Sequence, residues 1–232
     1  MGTVVGVFNP QITIAYAEGD KEKLVDIIKS CNRILIFIMS IPIAFLTAYG
    51  RDFYALWQPT KDPDMLQRLS LLAVGVLYVS MSIQVLYHVF IITKKVKWNS
   101  LVILGSGVLS SCLSLLLLKT TDLGVMVFPL SSMLTGLLRN LIFTPIYAAR
   151  CLKIRWNRFY GDILLGWISI GSIVILGNLS RMVFPVDSWI KLILTGVVMG
   201  PLALALNFLI ILRKEEREMV IGMLKSRLKG AK

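Results

Sequence analysis

Histidine is all but missing from this sequence: His88 is the single one in 232 residues. With one imidazole, neither a Ser-His-Asp arrangement nor a histidine-based metal cluster can be built. Cysteine is almost as scarce. Cys31, Cys112 and Cys151 lie far apart with no CxxC pair and no metal-type spacing, and they read as reduced structural thiols. No GxxxxGK[ST] stretch occurs, which excludes ATP hydrolysis through a P-loop. No basic segment precedes the first apolar stretch and no small-x-small cleavage site follows it, so the start does not look like a signal peptide. Charge is also thin. Only 16% of residues are Asp, Glu, Lys or Arg, against about 25% in ordinary soluble domains. No cofactor and no metal is expected, and acid–base residues are too few in the apolar runs to favour a membrane-embedded enzyme acting on lipid phosphates.

What is present is hydrocarbon: 56% apolar residues and a mean hydropathy of +0.75. Six runs are long enough to cross a bilayer: 34–50, 69–92, 101–118, 123–149, 163–180 and 192–212. Leu24, Ile27, Ile28 and Cys31 recur at helical spacing ahead of the first run. They predict an interfacial amphipathic turn on a helix that starts after Asp20 as its N-cap and kinks at Pro42. Pro129 and Pro145 are the expected bend points of the fourth run. Connections are as short as eight residues (93–100) and four residues (119–122), so consecutive helices must be antiparallel neighbours. The chain is one membrane domain over 1–232, and the stripe Val220, Ile221, Leu224 and Leu228 predicts an amphipathic tail over 213–232 lying on the membrane surface.

The net charge of +12 belongs to the membrane and not to nucleic acid, because the cations cluster at alternate connections. Eighteen Lys and Arg fall on the side of the segment after Ala17 and of the C-terminus, and six on the other, with Arg139 left inside a span. The richer side is assigned to the cytoplasm. Tyr49, Tyr54, Trp57 and Trp189 are then expected at the outer boundary, and Trp98, Tyr147, Trp156 and Tyr160 at the inner one. The stretch 3–17 is apolar and helical, but its 15 residues fall short of the ~20 that a crossing needs. It reads as the end of a helix whose beginning is missing, or as a short re-entrant helix.

Three local features remain. Gly196 and Gly200 form GxxxG, Ser106 and Ser110 form small-xxx-small, and Gly105 and Gly107 add small residues; such faces predict close helix approach. Asn178–Ser180 fits a glycosylation sequon but lies at a membrane boundary. Arg139, beside Asn140 in the middle of the fourth run, is the strongest functional pointer. A cation at that depth costs ~2.5–3.5 kcal/mol on insertion scales. No acidic residue lies inside the six runs to neutralise it. It either snorkels to the inner surface or attracts an anion in a cavity, and together with Asn140 it is the candidate substrate-binding pair.

The run 8–57 carries a resemblance. Pro10-Gln11-Ile12, Tyr16-Ala17-Glu18-Gly19-Asp20, Lys23-Leu24, Ser30, Arg33, Pro42, and then Gly50, Phe53, Leu56 and Trp57 follow one another. This pattern is similar to the lipid-linked oligosaccharide flippases of bacterial O-antigen and polysaccharide assembly, in the superfamily that also holds the multidrug and toxic-compound extrusion transporters. The resemblance implies an all-α integral membrane protein: six transmembrane helices plus a partial N-terminal one, forming the C-terminal lobe of an inverted-V transporter. It implies helices nine to fourteen of such a protein in the bacterial inner membrane, with a cationic cavity facing a first lobe that this chain lacks. The implied partners are an undecaprenyl-diphosphate-linked oligosaccharide, membrane lipids, that missing N-terminal lobe and a polysaccharide polymerase complex. The fragment by itself is expected to flip nothing. A non-transporting scaffold subunit of a polysaccharide-assembly complex and a multidrug-type exporter of the same superfamily remain alternatives.

Overall fold

The computed structural model describes residues 2–214 and 216–218, which are helical nearly throughout with no strand among them. The expected amphipathic tail over 213–232 falls almost wholly outside the described residues. The chain runs as α1 (Gly2–Ala17), α2 (Lys21–Trp57), α3 (Pro63–Val74), α4 (Leu77–Ser80), α5 (Leu86–Ile92) and α6 (Val96–Thr120). A 3-10 turn (Gly124–Met126), α7 (Val127–Leu138), a π-helical turn (Arg139–Phe143) and α8 (Thr144–Leu152) follow as one continuous rod, and α9 (Tyr160–Val183) and α10 (Trp189–Ile210) complete it. The stretches Lys21–Trp57, Val96–Thr120, Gly124–Leu152, Tyr160–Val183 and Trp189–Ile210 are long and apolar enough to cross a bilayer. The molecule is an all-helical integral membrane bundle.

Local chemistry sets the helix starts. Asp20 Oδ1 accepts from the Lys23 amide at 3.0 Å and caps α2, while Gly19 takes the left-handed φ of +75° that the tight α1–α2 turn requires. Asp62 caps α3 ahead of Pro63, and Ser188 caps α10. Leu24, Ile28 and Cys31 are buried among α1, α5 and α8. The face expected to lie at the interface is therefore protein core, and α2 continues unbroken for 37 residues.

Two departures from the expected pattern have a common cause, close packing at the centre. First, the run 69–92 is not one helix but three, broken at Gly75–Val76 and over 81–85. At the first break, a Cβ on Gly75 would strike the Met133 side chain, and one on Gly136 would lie 2.6 Å from Val76. At the second, the chain tightens to i→i−3 bonds such as Ser82 N to Val79 O at 3.0 Å. Met81, Ser82, Ile83 and Val85 are fully buried there, which is where irregular backbone is tolerated at membrane depth. Second, the glycines expected to pack do not. Gly105, Gly107 and Gly200 have open space where a Cβ would stand, and Gly196 meets only Phe45 at 3.9 Å. Close approach falls instead at Gly136, at Gly166 against Ser82 and Met81, and at Gly177 against Ala48. Spacing alone does not reveal which small residues face a partner helix.

Helix α2 is the hub, packed on α1, α3, α9 and α10. Asn207 ties three helices inside the bundle: its amide donates to Ser40 Oγ at 2.7 Å and Phe37 O at 3.1 Å, and Ser169 donates to its Oδ1 at 2.6 Å. The two ends of the bundle differ in charge. At one end Tyr147 donates to Lys95 O at 3.2 Å, and Lys21 shares a cleft with Arg155 and Arg158. At the other end three cations are matched: Arg181 to Asp52, Arg51 to Asp64 and Lys191 to Asp187, at 2.9, 2.9 and 2.7 Å. Tyr49 is not an interfacial anchor as expected. It is buried, donating to Gly177 O at 3.1 Å, because the α2–α9 crossing closes over it. Trp57, Trp189, Trp98 and Trp156 are exposed.

Candidate functional site

Pro145 builds the site. A proline has no N–H to give the carbonyl four residues earlier and its ring crowds that carbonyl, so the backbone at Leu141 cannot continue as a regular helix. The chain answers with a π-helical turn over Arg139–Phe143, in which the Thr144 amide reaches back five residues to Arg139 O. The stranded Leu141 carbonyl accepts instead from Tyr160 Oη on α9 at 2.7 Å. Tyr160, expected as an inner-boundary anchor, thus serves the packing. The extra residue of the π-turn swings Arg139 and Asn140 against α5 and α6.

The structure brings these two residues together with two that sequence reasoning missed. Asn140 is buried, 1% exposed, and its Oδ1 accepts from Tyr87 Oη at 3.0 Å and from Arg139 Nε at 3.4 Å. Arg139 Nη1 donates to Ser106 Oγ on α6 at 3.2 Å. Arg139 is half-buried near the middle of the 29-residue stretch Gly124–Leu152, and it lines a groove of about 490 Å³ with Gly105, Ser106, Leu109, Leu138 and Ile142. Among the described residues no carboxylate pairs with it. Its side chain is held by neutral acceptors at depth and does not reach a charged partner. Tyr87 stands just beyond the second break of the α3–α5 segment, so that break and the π-turn meet at this one hydrogen bond. Tyr87 was present only as a tyrosine in an apolar run, a type too common there to stand out, and Ser106 was noted only as a small packing residue.

The helices overrun the apolar runs, so carboxylates just outside those runs also stand on helices. Asp52 is near the end of α2, and Asp162 near the start of α9 accepts from Asn32 Nδ2 at 2.9 Å. Arg33 and Glu216 form a buried ion pair at 3.0 Å, with Ser30 donating to Glu216 Oε1 at 2.7 Å and the Arg213 amide to Oε2 at 2.9 Å. None of these acids touches Arg139. His88 meets Thr13 of α1 across 3.3 Å, a helix-packing contact. No group of three or more His, Cys, Asp or Glu able to hold a metal ion occurs among the described residues.

No protein-family profile matches the chain, and no solved structure matches it. The chain is similar to a Bacillus subtilis (strain 168) protein described as "uncharacterized membrane protein EpsK", with 27% identity over 227 residues. The match covers 95% of this chain and 43% of that protein, so the chain spans less than half the length of the curated relative it matches.

Proposed function

We propose that the chain is the C-terminal portion of a flippase that moves undecaprenyl-diphosphate-linked oligosaccharide across the bacterial inner membrane for polysaccharide or O-antigen assembly. The carrying observation is Arg139: a mid-membrane guanidinium held by Asn140 and Ser106 with no carboxylate partner among the described residues. A diphosphate supplies the missing counter-charge through charge-assisted hydrogen bonds. Interrupted helices at membrane depth are where transporters form their substrate sites, and the break over 81–85 and the π-turn meet at Tyr87 and Asn140. On this reading the cation-rich end, with the C-terminus, is cytoplasmic. The partners are the lipid-linked sugar, a first lobe completing the cavity, and a polymerase complex. The role is transport and not catalysis.

The test is reconstitution. The 232-residue chain in proteoliposomes is expected to retain a fluorescent polyprenyl-diphosphate oligosaccharide without exposing it to an added quencher on the far side, and Arg139→Gln is expected to lose that retention. Translocation by the chain alone contradicts the partial-transporter reading. Retention unchanged by Arg139→Gln contradicts the site.

A further inference from the structure

A cationic cleft lies at the cation-rich end, away from Arg139. Lys21 and Glu22 open α2, and the turn after α8 brings Arg155 and Arg158 opposite them across a cleft of about 370 Å³ floored by Val25 and Ile154. The turn is held in place by its own backbone. Lys153 takes the left-handed φ of +55°, Ile154 N bonds to Ala149 O at 3.0 Å, and Arg158 N to Arg155 O at 3.2 Å. At the opposite end of the bundle Arg51, Arg181 and Lys191, three of its six cations, each have an aspartate. Lys21, Arg155 and Arg158 are exposed and make no ion pair and no side-chain hydrogen bond among the described residues. Three cations against the one acid Glu22 lining the cleft leave it cationic, while the first turn of α2 is already capped by the Asp20 carboxylate. Trp156, 61% exposed between the two arginines, carries an amphipathic ring that seeks the headgroup layer.

We infer that this cleft binds the phosphate of an anionic phospholipid headgroup at that membrane face. Charge complementarity selects the occupant. The cleft joins unpaired guanidinium forks, which suit phosphate oxygens, to an apolar floor and an interfacial tryptophan, which suit the lipid's glycerol and chains. A zwitterionic headgroup brings its own ammonium into a site that already holds three cations.

Native mass spectrometry of the full chain, released from detergent with equimolar phosphatidylglycerol and phosphatidylcholine, reads this directly. Wild type is expected to retain phosphatidylglycerol preferentially. At about fivefold per cation near a membrane surface, Arg155→Gln/Arg158→Gln is expected to lower that retention by about 25-fold, and Arg155→Lys/Arg158→Lys to restore most of it. Lys119→Gln, an exposed cation elsewhere, is expected to leave it unchanged. An unchanged preference in the double glutamine variant overturns the inference, as does equal loss in this control. Full displacement of the lipid by millimolar inorganic pyrophosphate would assign the cleft to soluble phosphates and overturn the lipid assignment.

Discussion

Replacing Asn140 by Asp separates a site built for an anion from one that merely packs. The substitution keeps the side-chain shape and the oxygen to which Tyr87 donates at 3.0 Å. It also sets a carboxylate beside the Arg139 guanidinium, whose Nε lies 3.4 Å from that oxygen. Two unit charges about 4 Å apart attract by ~4 kcal/mol at an effective dielectric of ~20. Desolvating the buried carboxylate takes back a large part of this, leaving ~1.5–3 kcal/mol of self-neutralisation that an incoming diphosphate must undo. At 1.4 kcal/mol per decade, affinity for a polyprenyl diphosphate falls about 10- to 100-fold. Titration of the chain in nanodiscs, with thermal unfolding recorded alongside, reads both quantities. Thermal stability is expected to rise rather than fall, because the new pair forms in the folded chain and the Tyr87 bond survives. Wild-type affinity in Asn140→Asp would refute the idea that Arg139 is held ready for an anion.

Other consequences are open to direct measurement. Asn207→Leu removes three hydrogen bonds, and at ~0.6 kcal/mol each in a membrane bundle it is expected to lower stability by ~2 kcal/mol in a detergent-unfolding assay, with Ser40→Ala costing about a third of that. Gly166→Val drives methyl groups onto Ser82 Oγ and Met81 Cε, which already lie 2.6 and 2.8 Å from the Cβ position, for an expected loss of ~1–3 kcal/mol; Gly105→Ala, with open space, changes nothing in the same assay. Glu216→Ala leaves Arg33 buried without its partner and is expected to cost ~3–5 kcal/mol, most of it recovered in Arg33→Met/Glu216→Leu. The Lys191 ammonium, hydrogen-bonded at 2.7 Å, holds the Asp187 carboxyl below its ordinary value. Such a group contributes above its unfolded pKa and loses the contribution as pH falls through the folded one. Because the pair is well exposed, wild type and Asp187→Asn are expected to give superimposable pH–stability curves down through the carboxylate range.

How far the sequence carried depended on whether a signal was local. The Asp20 cap, the helical stretch before it and the five long apolar helices follow from residue type and length, which act within a few residues of their effect. The broken α3–α5 segment did not show itself. Its 24 apolar residues read as one crossing, and the breaks arise from Gly75 meeting Met133 and Ser82 meeting Gly166, contacts between distant parts of the chain. Arg139 and Asn140 were visible because a cation inside hydrocarbon is anomalous by itself. Tyr87 and Ser106 were not, since only the fold makes them neighbours. Pro145 announced a bend, while the π-turn and its rescue by Tyr160 needed the position of α9. Tyr49 was misjudged for the same reason: a tyrosine near a span end looks like an anchor until a second helix covers it.

The central claim is that the Arg139 guanidinium holds a diphosphate within the membrane. Solid-state dipolar recoupling between a ¹³C-labelled Arg139 Cζ and the ³¹P nuclei of polyprenyl diphosphate, with the chain in bilayers, measures it. Charge-assisted contacts of ~2.8 Å between nitrogen and oxygen predict a carbon–phosphorus separation of about 4 Å and strong dephasing, absent in a sample labelled at Arg181 instead. No dephasing at Arg139 with bound diphosphate present would contradict the account.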